Sequence, residues 1–215
     1  MTSPGRLRLL ALRDQCEAVG KTMAVERHRF DALREAEAPR AVSAFNLFQT
    51  PEVIAARMVS ACGPLDGRRI LEPSAGLGRL YRAIRARTDA NVTLVEIAPQ
   101  CAAELYRQTQ YDEQARLVQA DFLTCSAERL GTFEVIVMNP PFKQGTDIRH
   151  IRHAITLLAP GGRLVSLCYA GTRQRREFEG REGVTWELLP PGSFKAEGTG
   201  AEVALVTIDR ELTAN

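Results

Sequence analysis

No Cys-x-x-C pair occurs in the chain, and its five cysteines, at positions 16, 62, 101, 125 and 168, are scattered and odd in number. That argues against both a zinc knuckle and a disulfide framework, so a reducing, cytoplasmic compartment is expected. No apolar run approaches the roughly 18 residues that a membrane-spanning helix needs. The first residues set Arg6, Arg8, Arg13 and Asp14 among leucines, which is not a secretory signal, and a soluble intracellular protein is expected. Internal repeats and low-complexity tracts are missing as well. So is strong charge: the net value of +2 is too small to imply nucleic acid by itself. What is present is ordinary for a globular chain, 45% apolar and 25% charged, and 215 residues fit one mid-sized domain with a modest appendage.

The charge is unevenly placed. Residues 143 to 181 hold Lys143, Arg149, Arg152, Arg163, Arg173, Arg175, Arg176 and Arg181 against only Asp147, Glu177 and Glu179. Residues 1 to 44 form a separate helical arm in this reading. Leu9, Leu12, Cys16, Val19, Met23, Glu26, Phe30 and Leu33 repeat at alternating spacings of 3 and 4 over residues 5 to 37, and Pro39 ends the helix. Such a stripe buries itself either against its own catalytic domain or in a homodimer or partner seam.

Residues 45 to 215 alternate short β-branched runs with amphipathic stretches, the pattern of an α/β, doubly wound, mainly parallel seven-stranded sheet. Strands are expected near 68 to 72, 92 to 96, 116 to 119, 133 to 138, 163 to 168, 184 to 189 and 202 to 208. Helices are expected near 51 to 61, 78 to 87, 99 to 109 and 147 to 158, the last stopped by Ala159-Pro160-Gly161-Gly162.

The first strand runs into Glu72-Pro73-Ser74-Ala75-Gly76-Leu77-Gly78, where glycines permit a tight turn and close backbone approach before a helix. Tyr81 stands where a dinucleotide fingerprint would have its third glycine, so this loop alone is a weak signal. Two further strand ends strengthen it. Glu96 closes the second strand, placed to accept hydrogen bonds from ribose hydroxyls. Asp121-Phe122 follows the third, with a carboxylate to accept from an adenine amino group and a ring to pack on the base.

The fourth strand delivers Asn139-Pro140-Pro141-Phe142 to the same edge of the sheet. An exocyclic amine on a base is a poor nucleophile because its lone pair is delocalised into the ring. Two acceptors aimed at its N–H bonds localise that pair: the Asn139 side-chain carbonyl, and the Pro140 main-chain carbonyl, whose direction consecutive prolines restrict. Phe142 supplies a stacking face. A cationic amine product sheds its proton readily, so alignment rather than a strong base carries the reaction. A dehydrogenase reading leaves the Asn-Pro-Pro-Phe run unexplained.

In their order, Glu72-Pro73-Ser74-Ala75-Gly76-x-Gly78, Glu96, Asp121-Phe122 and Asn139-Pro140-Pro141-Phe142 resemble the motifs of class I S-adenosylmethionine-dependent methyltransferases. Within that group they look most like amino methyltransferases of the N6-adenine DNA type, over residues 45 to 208. The segment Phe45-Asn46-Leu47-Phe48-Gln49-Thr50-Pro51-Glu52-Val53 resembles that family's upstream cofactor motif, in which the threonine faces the methionine carboxylate. Thr50 before Pro51 also fits a helix N-cap with proline at the first helical position. The resemblance implies S-adenosyl-L-methionine as cofactor, held by Phe48, Thr50, Glu72, Pro73, Ser74, Ala75, Gly76, Gly78, Glu96, Ile97, Asp121, Phe122 and Asn139. It places catalysis on Asn139, Pro140, Pro141 and Phe142.

His150 and His153 lack a third ligand, so no metal is expected, and with Arg149 and Arg152 they read as a solvated basic face. A DNA adenine would be flipped out or presented single-stranded, with Arg173, Arg175 and Arg176 as candidate phosphate contacts. Ser193-Phe194-Lys195-Ala196-Glu197-Gly198-Thr199-Gly200 forms either a mobile lip over the target pocket or a hairpin connection. Only 17 residues separate Asp121 from Asn139, and few follow the last strand, so no separate target-recognition domain is expected. Sequence specificity would then come from the arm, a second subunit or short loops. An RNA base or a protein glutamine amide remains open as substrate. A catalytically silent partner subunit remains open as a role.

Overall fold

A computed structural model describes residues 49–195 and 198–211. The expected helical arm, together with Phe45, Asn46, Leu47 and Phe48 of the upstream motif, lies outside the described residues. In chain order the elements are α1 (Glu52–Ala61), β1 (Ile70–Pro73), α2 (Arg79–Arg85), β2 (Val92–Glu96), α3 (Pro99–Thr109), β3 (Ala115–Gln119), α4 (Ala127–Leu130), β4 (Phe133–Met138), α5 (Thr146–Leu157), β5 (Leu158–Tyr169), α6 (Thr172–Phe178), β6 (Val184–Leu188) and β7 (Val203–Asp209).

The seven strands lie in the order β3-β2-β1-β4-β5-β7-β6. Neighbours from β3 to β5 pair in parallel, whereas β7 runs antiparallel to both β5 and β6. Successive strand residues point to opposite faces, and both faces are apolar. Ile70, Val135, Val137, Val165 and Leu167 enter one core with Met58 of α1, Ile84 of α2 and Leu105 of α3. Leu71, Ile136, Met138, Leu164 and Cys168 enter the other with Ile151 of α5, Leu130 of α4 and Phe178 of α6. The doubly wound, mainly parallel sheet expected from the alternating pattern is therefore the observed architecture.

Three local departures have physical causes. The Ala159-Pro160-Gly161-Gly162 stretch does not separate helix from strand. β5 begins at Leu158, which pairs with Phe133, and a register shift before Val135 absorbs the irregularity. The arginine-rich segment after β5 is helical, and α6 docks through a buried polar contact: Gln174 Nε2 donates to both oxygens of Asp147 at 3.1 and 3.0 Å. Asp147, wholly buried, also accepts from the Tyr169 amide at 3.0 Å, which ties α5, β5 and α6 together. Finally, Phe194 is 1% exposed in the first core, so the segment expected as a mobile lip or a hairpin connection is anchored at that ring; Ala196 and Glu197 lie outside the described residues.

Glu72 is the residue on β1 that the apolar pattern does not explain. It is 2% exposed, and no hydrogen-bond partner of its Oε2 is found among the described residues. Burial pushes its carboxyl well above the ordinary glutamate value, the neighbouring Glu96 carboxylate pushes the same way, and only the Arg82 charge and a hydrogen bond from the Tyr81 backbone oppose them.

An added Cβ at Gly162 would lie 2.8 Å from the Ala159 carbonyl and 3.0 Å from that of Glu134, both rigid backbone. Gly162→Ala is expected to cost roughly 1–3 kcal/mol in urea denaturation, and an unchanged midpoint would contradict the close approach. For Glu72 the folded-state pKa lies above the unfolded one. Its contribution to stability is present below the ordinary value of 4.5 and is lost as pH rises through the folded-state value. Glu72→Gln cannot ionise. Its stability relative to wild type is expected to grow as pH is raised above 4.5, and a pH-independent difference across a denaturation series would overturn this assignment.

Candidate active site

The site gathers at the C-terminal ends of β1, β2 and β4, where β1 separates the other two. After Pro73 the chain turns through Ser74 (φ 65°), Gly76 (φ 55°) and Gly78 (φ 77°). Left-handed φ suits glycine, but at Ser74 it is strained, and the loop is held by the Ala75 amide donating to the Val95 carbonyl at 3.0 Å. Gly78 allows close approach as well as φ: a Cβ there would meet Gln108 Oε1 at 2.6 Å and Leu105 Cδ2 at 3.0 Å.

Glu96, 6% exposed, braces this loop from β2. The Gly76 amide donates to its Oε2 at 2.7 Å, and the Ala98 amide to its Oε1 at 2.7 Å. Each carboxylate oxygen retains further accepting capacity, so the group can serve ribose hydroxyls while holding the turn. Ile97, next in chain, is 62% exposed, an apolar side chain presented beside a carboxylate. The glycine turn, the strand-end acid Glu96, the exposed Ile97 and the Glu72 oxygen without a partner among the described residues offer chemistry that fits a nucleoside bearing a cationic amino-acid tail.

Asp121 is exposed after β3, and its Oδ1 accepts from the Leu123 amide at 3.0 Å, capping a short 3-10 turn over Phe122–Thr124. Phe122 is placed otherwise than its expected packing on a base. It is 3% exposed in the second core, with its ring 4.8 Å from that of His153 and 5.8 Å from that of His150. The expected solvated histidine face is corrected by the same contacts. His150 is 7% exposed, with its pKa lowered chiefly by burial, and its Nδ1 meets the Thr146 carbonyl at 3.0 Å. His153 Nε2 meets the Cys125 carbonyl at 2.8 Å. Among the described residues no group of three His, Cys, Asp or Glu side chains could hold a metal ion.

Asn139 leaves β4 half-buried, Pro140 is buried, and Pro141 and Phe142 are half-buried, with Phe142 packed against the first core. The Asn139 amide is engaged by the upstream motif: its Nδ2 donates to Thr50 Oγ1 at 3.1 Å, across 89 residues of sequence. Thr50 does not cap α1 as its position before Pro51 suggested. The helix begins at Glu52 behind Pro51, and no side-chain cap hydrogen bond is made. No pattern of spacing announces the Thr50–Asn139 contact, because it depends on how α1 packs across the sheet.

The loop after Phe142 is strained at Gln144 (φ 56°), and Arg173 of α6 reaches it, with Nη1 donating to the Gln144 carbonyl at 3.3 Å. Arg173 and Arg176 are exposed. Arg175 is less free for phosphate than expected: it pairs with Glu179, donates to the Ala170 carbonyl and lies 5.7 Å over the Trp186 ring. Arg152 and Arg163 pair with Glu177 and Asp209. Of the basic surplus of residues 143 to 181, exposed Lys143 lies in the loop after Phe142 and exposed Arg173 reaches it.

Residues 50–179 match the family described as the methyltransferase small domain. The rRNA N(6)-adenosine-methyltransferase metl-5 of Caenorhabditis elegans is 27% identical over 147 residues, 64% of this chain and 62% of that protein. The ribosomal RNA small subunit methyltransferase A of Bordetella pertussis is 36% identical over 95 residues, 44% of this chain and 35% of that protein. The chain therefore spans about six tenths and one third of the lengths of these curated relatives. In fold it is similar to an RNA methyltransferase from Salinibacter ruber, solved with S-adenosyl-L-homocysteine. The TM-score is 0.54 at 15% identity, covering 78% of this chain and 96% of that one. With its seven-stranded sheet, the chain belongs to the methyltransferase small domain family, has the fold of class I methyltransferases and takes S-adenosyl-L-methionine as cofactor.

Proposed function

We propose that this chain methylates the exocyclic N6 of adenine in RNA, with Asn139 and Pro140 aligning the amine. The observation that carries this reading is the placement of Asn139 at the end of β4, beside the glycine turn that ends β1, with its amide held by Thr50. The curated relatives above are ribosomal RNA methyltransferases, one named for N6-adenosine, which favours RNA over the DNA substrate that Asn-Pro-Pro-Phe suggests by resemblance.

When bound, S-adenosylmethionine supplies an electrophilic methyl group on a sulfonium. The protein's part is to bring the amine into line with it. Asn139 Oδ1 and the Pro140 carbonyl accept the two amine hydrogens, which draws the nitrogen lone pair out of the ring and toward the methyl group. Phe142 lies beside them as a face for the base. Glu96 and the glycine turn hold the nucleoside end of the cofactor, and Ile97 offers it an apolar surface. The proton lost from the methylated amine passes to water, so no buried base is required. Exposed Arg173, which reaches the loop after Phe142, and exposed Arg176 on the same helix are suited to RNA phosphates, whose contribution weakens with added salt.

The test is product analysis. The purified chain is incubated with S-adenosylmethionine and, separately, with unmethylated ribosomal RNA, single-stranded DNA, duplex DNA and a protein extract, and each is digested for mass spectrometry. N6-methyladenosine in RNA is expected, reduced by about 100-fold or more in Asn139→Ala. Product confined to DNA or to protein would overturn the RNA assignment. Full product from Asn139→Ala would remove that residue from the mechanism.

A further inference from the structure

We infer that Thr50 is a positioning residue for methyl transfer: it holds the Asn139 amide by its NH2 group and so presents the Asn139 carbonyl oxygen to the amine that is methylated. This rests on the proposed role of Asn139 and goes beyond it by saying what keeps that side chain productive.

An asparagine amide is nearly symmetric in shape but not in chemistry. Turned by half a rotation about its last torsion, it would offer two N–H groups to a substrate amine that itself needs acceptors, and the pair would repel. A fixed acceptor for Nδ2 decides between the two orientations. Thr50 Oγ1 is that acceptor, at 3.1 Å, and its surroundings restrict it. Thr50 is 3% exposed, so water does not compete readily for the hydroxyl. Its side chain is β-branched and stiff at χ1, and its main chain is confined to extended conformations by Pro51. The hydroxyl caps no helix, since α1 starts behind Pro51 without a side-chain cap bond. A buried hydroxyl not used for capping, directed at the amide of the Asn-Pro-Pro-Phe motif from a segment 89 residues earlier, is accounted for by the orientation it imposes.

The experiment compares Thr50→Val, which keeps shape and loses the hydroxyl, with Thr50→Ser, which keeps the hydroxyl. Asn139→Ala and the Thr50→Val/Asn139→Ala double variant complete the set. Turnover is measured on unmethylated ribosomal RNA at saturating S-adenosylmethionine, and the Asn139 side-chain amide is followed by NMR in the full chain. Thr50→Val is expected to lower kcat about tenfold with little change in KM for RNA, and Thr50→Ser to recover it to within about twofold. The double variant is expected to be no slower than Asn139→Ala alone, because the hydroxyl acts only through the amide. In the spectrum, the Nδ2 proton facing Thr50 should shift and lose exchange protection in Thr50→Val but not in Thr50→Ser.

Wild-type kcat in Thr50→Val, or losses that multiply in the double variant, would overturn the inference. So would amide protons unchanged by Thr50→Val, the result expected if the hydroxyl instead donates to Oδ1. The NMR readout needs no turnover and separates the two levels. Active Asn139→Ala protein would refute the parent mechanism, whereas inactive Asn139→Ala with fully active Thr50→Val would refute only the role of Thr50.

Discussion

The parallel pairing of Ile70 with Val92 on one side and with Val135 on the other sets β1 between the two strands whose ends carry Glu96 and Asn139. Strand order reverses at this point, with β2 and β3 lying to one side and β4 onward to the other, so the connecting helices leave on opposite faces and a crevice opens between them. The loop that fills its floor must turn sharply without side chains in the way. Left-handed Gly76 and Gly78 meet that demand, and the strain at Ser74 is tolerated because the Val95 carbonyl and the Glu96 carboxylate hold the loop from β2. The glycine turn and Asn139 are neighbours because β1 and β4 are.

Two carboxylates share this small region and are handled in opposite ways. Glu96 has two main-chain amides directed at it, one on each oxygen. Glu72 is buried close to Glu96, with no partner for one oxygen among the described residues, and its pKa is raised. A core strand gains nothing in packing from such a residue, and an apolar side chain there would make the fold more stable. Its presence is intelligible as a local concession if, as proposed, the site receives a positively charged ligand.

The charge pattern that marks residues 143 to 181 in the sequence means something narrower in three dimensions. Asp147 is spent inside, binding Gln174 and the Tyr169 amide, and so fixes α6 against α5 and β5. Glu177, Glu179 and Asp209 each take an arginine. Arg173 instead crosses to the loop that follows Phe142 and braces the strained carbonyl of Gln144. A positive side chain beside that loop is thereby placed by main-chain contact, not merely by an excess of like charge.

Period and turn chemistry made most of the architecture legible in advance. β-branched runs end at Glu72, Glu96 and Met138, and helices such as Pro99–Thr109 and Thr146–Leu157 show their apolar faces in the one-dimensional pattern, because buried strands and amphipathic helices must repeat at their own periods. The cluster of strand-end motifs was legible for the same reason, since a parallel sheet delivers all its strand ends to one edge. What the sequence could not show is which partner a polar or aromatic group finds. Phe122 followed an acid as if to face a base, yet it packs between His150 and His153; Thr50 stood where a cap belongs, yet it holds Asn139. Composition and spacing determined the sheet and the order of its strand-end motifs. Only the tertiary structure decided these side-chain partners, because such contacts are short-ranged and join residues whose separation along the chain carries no period.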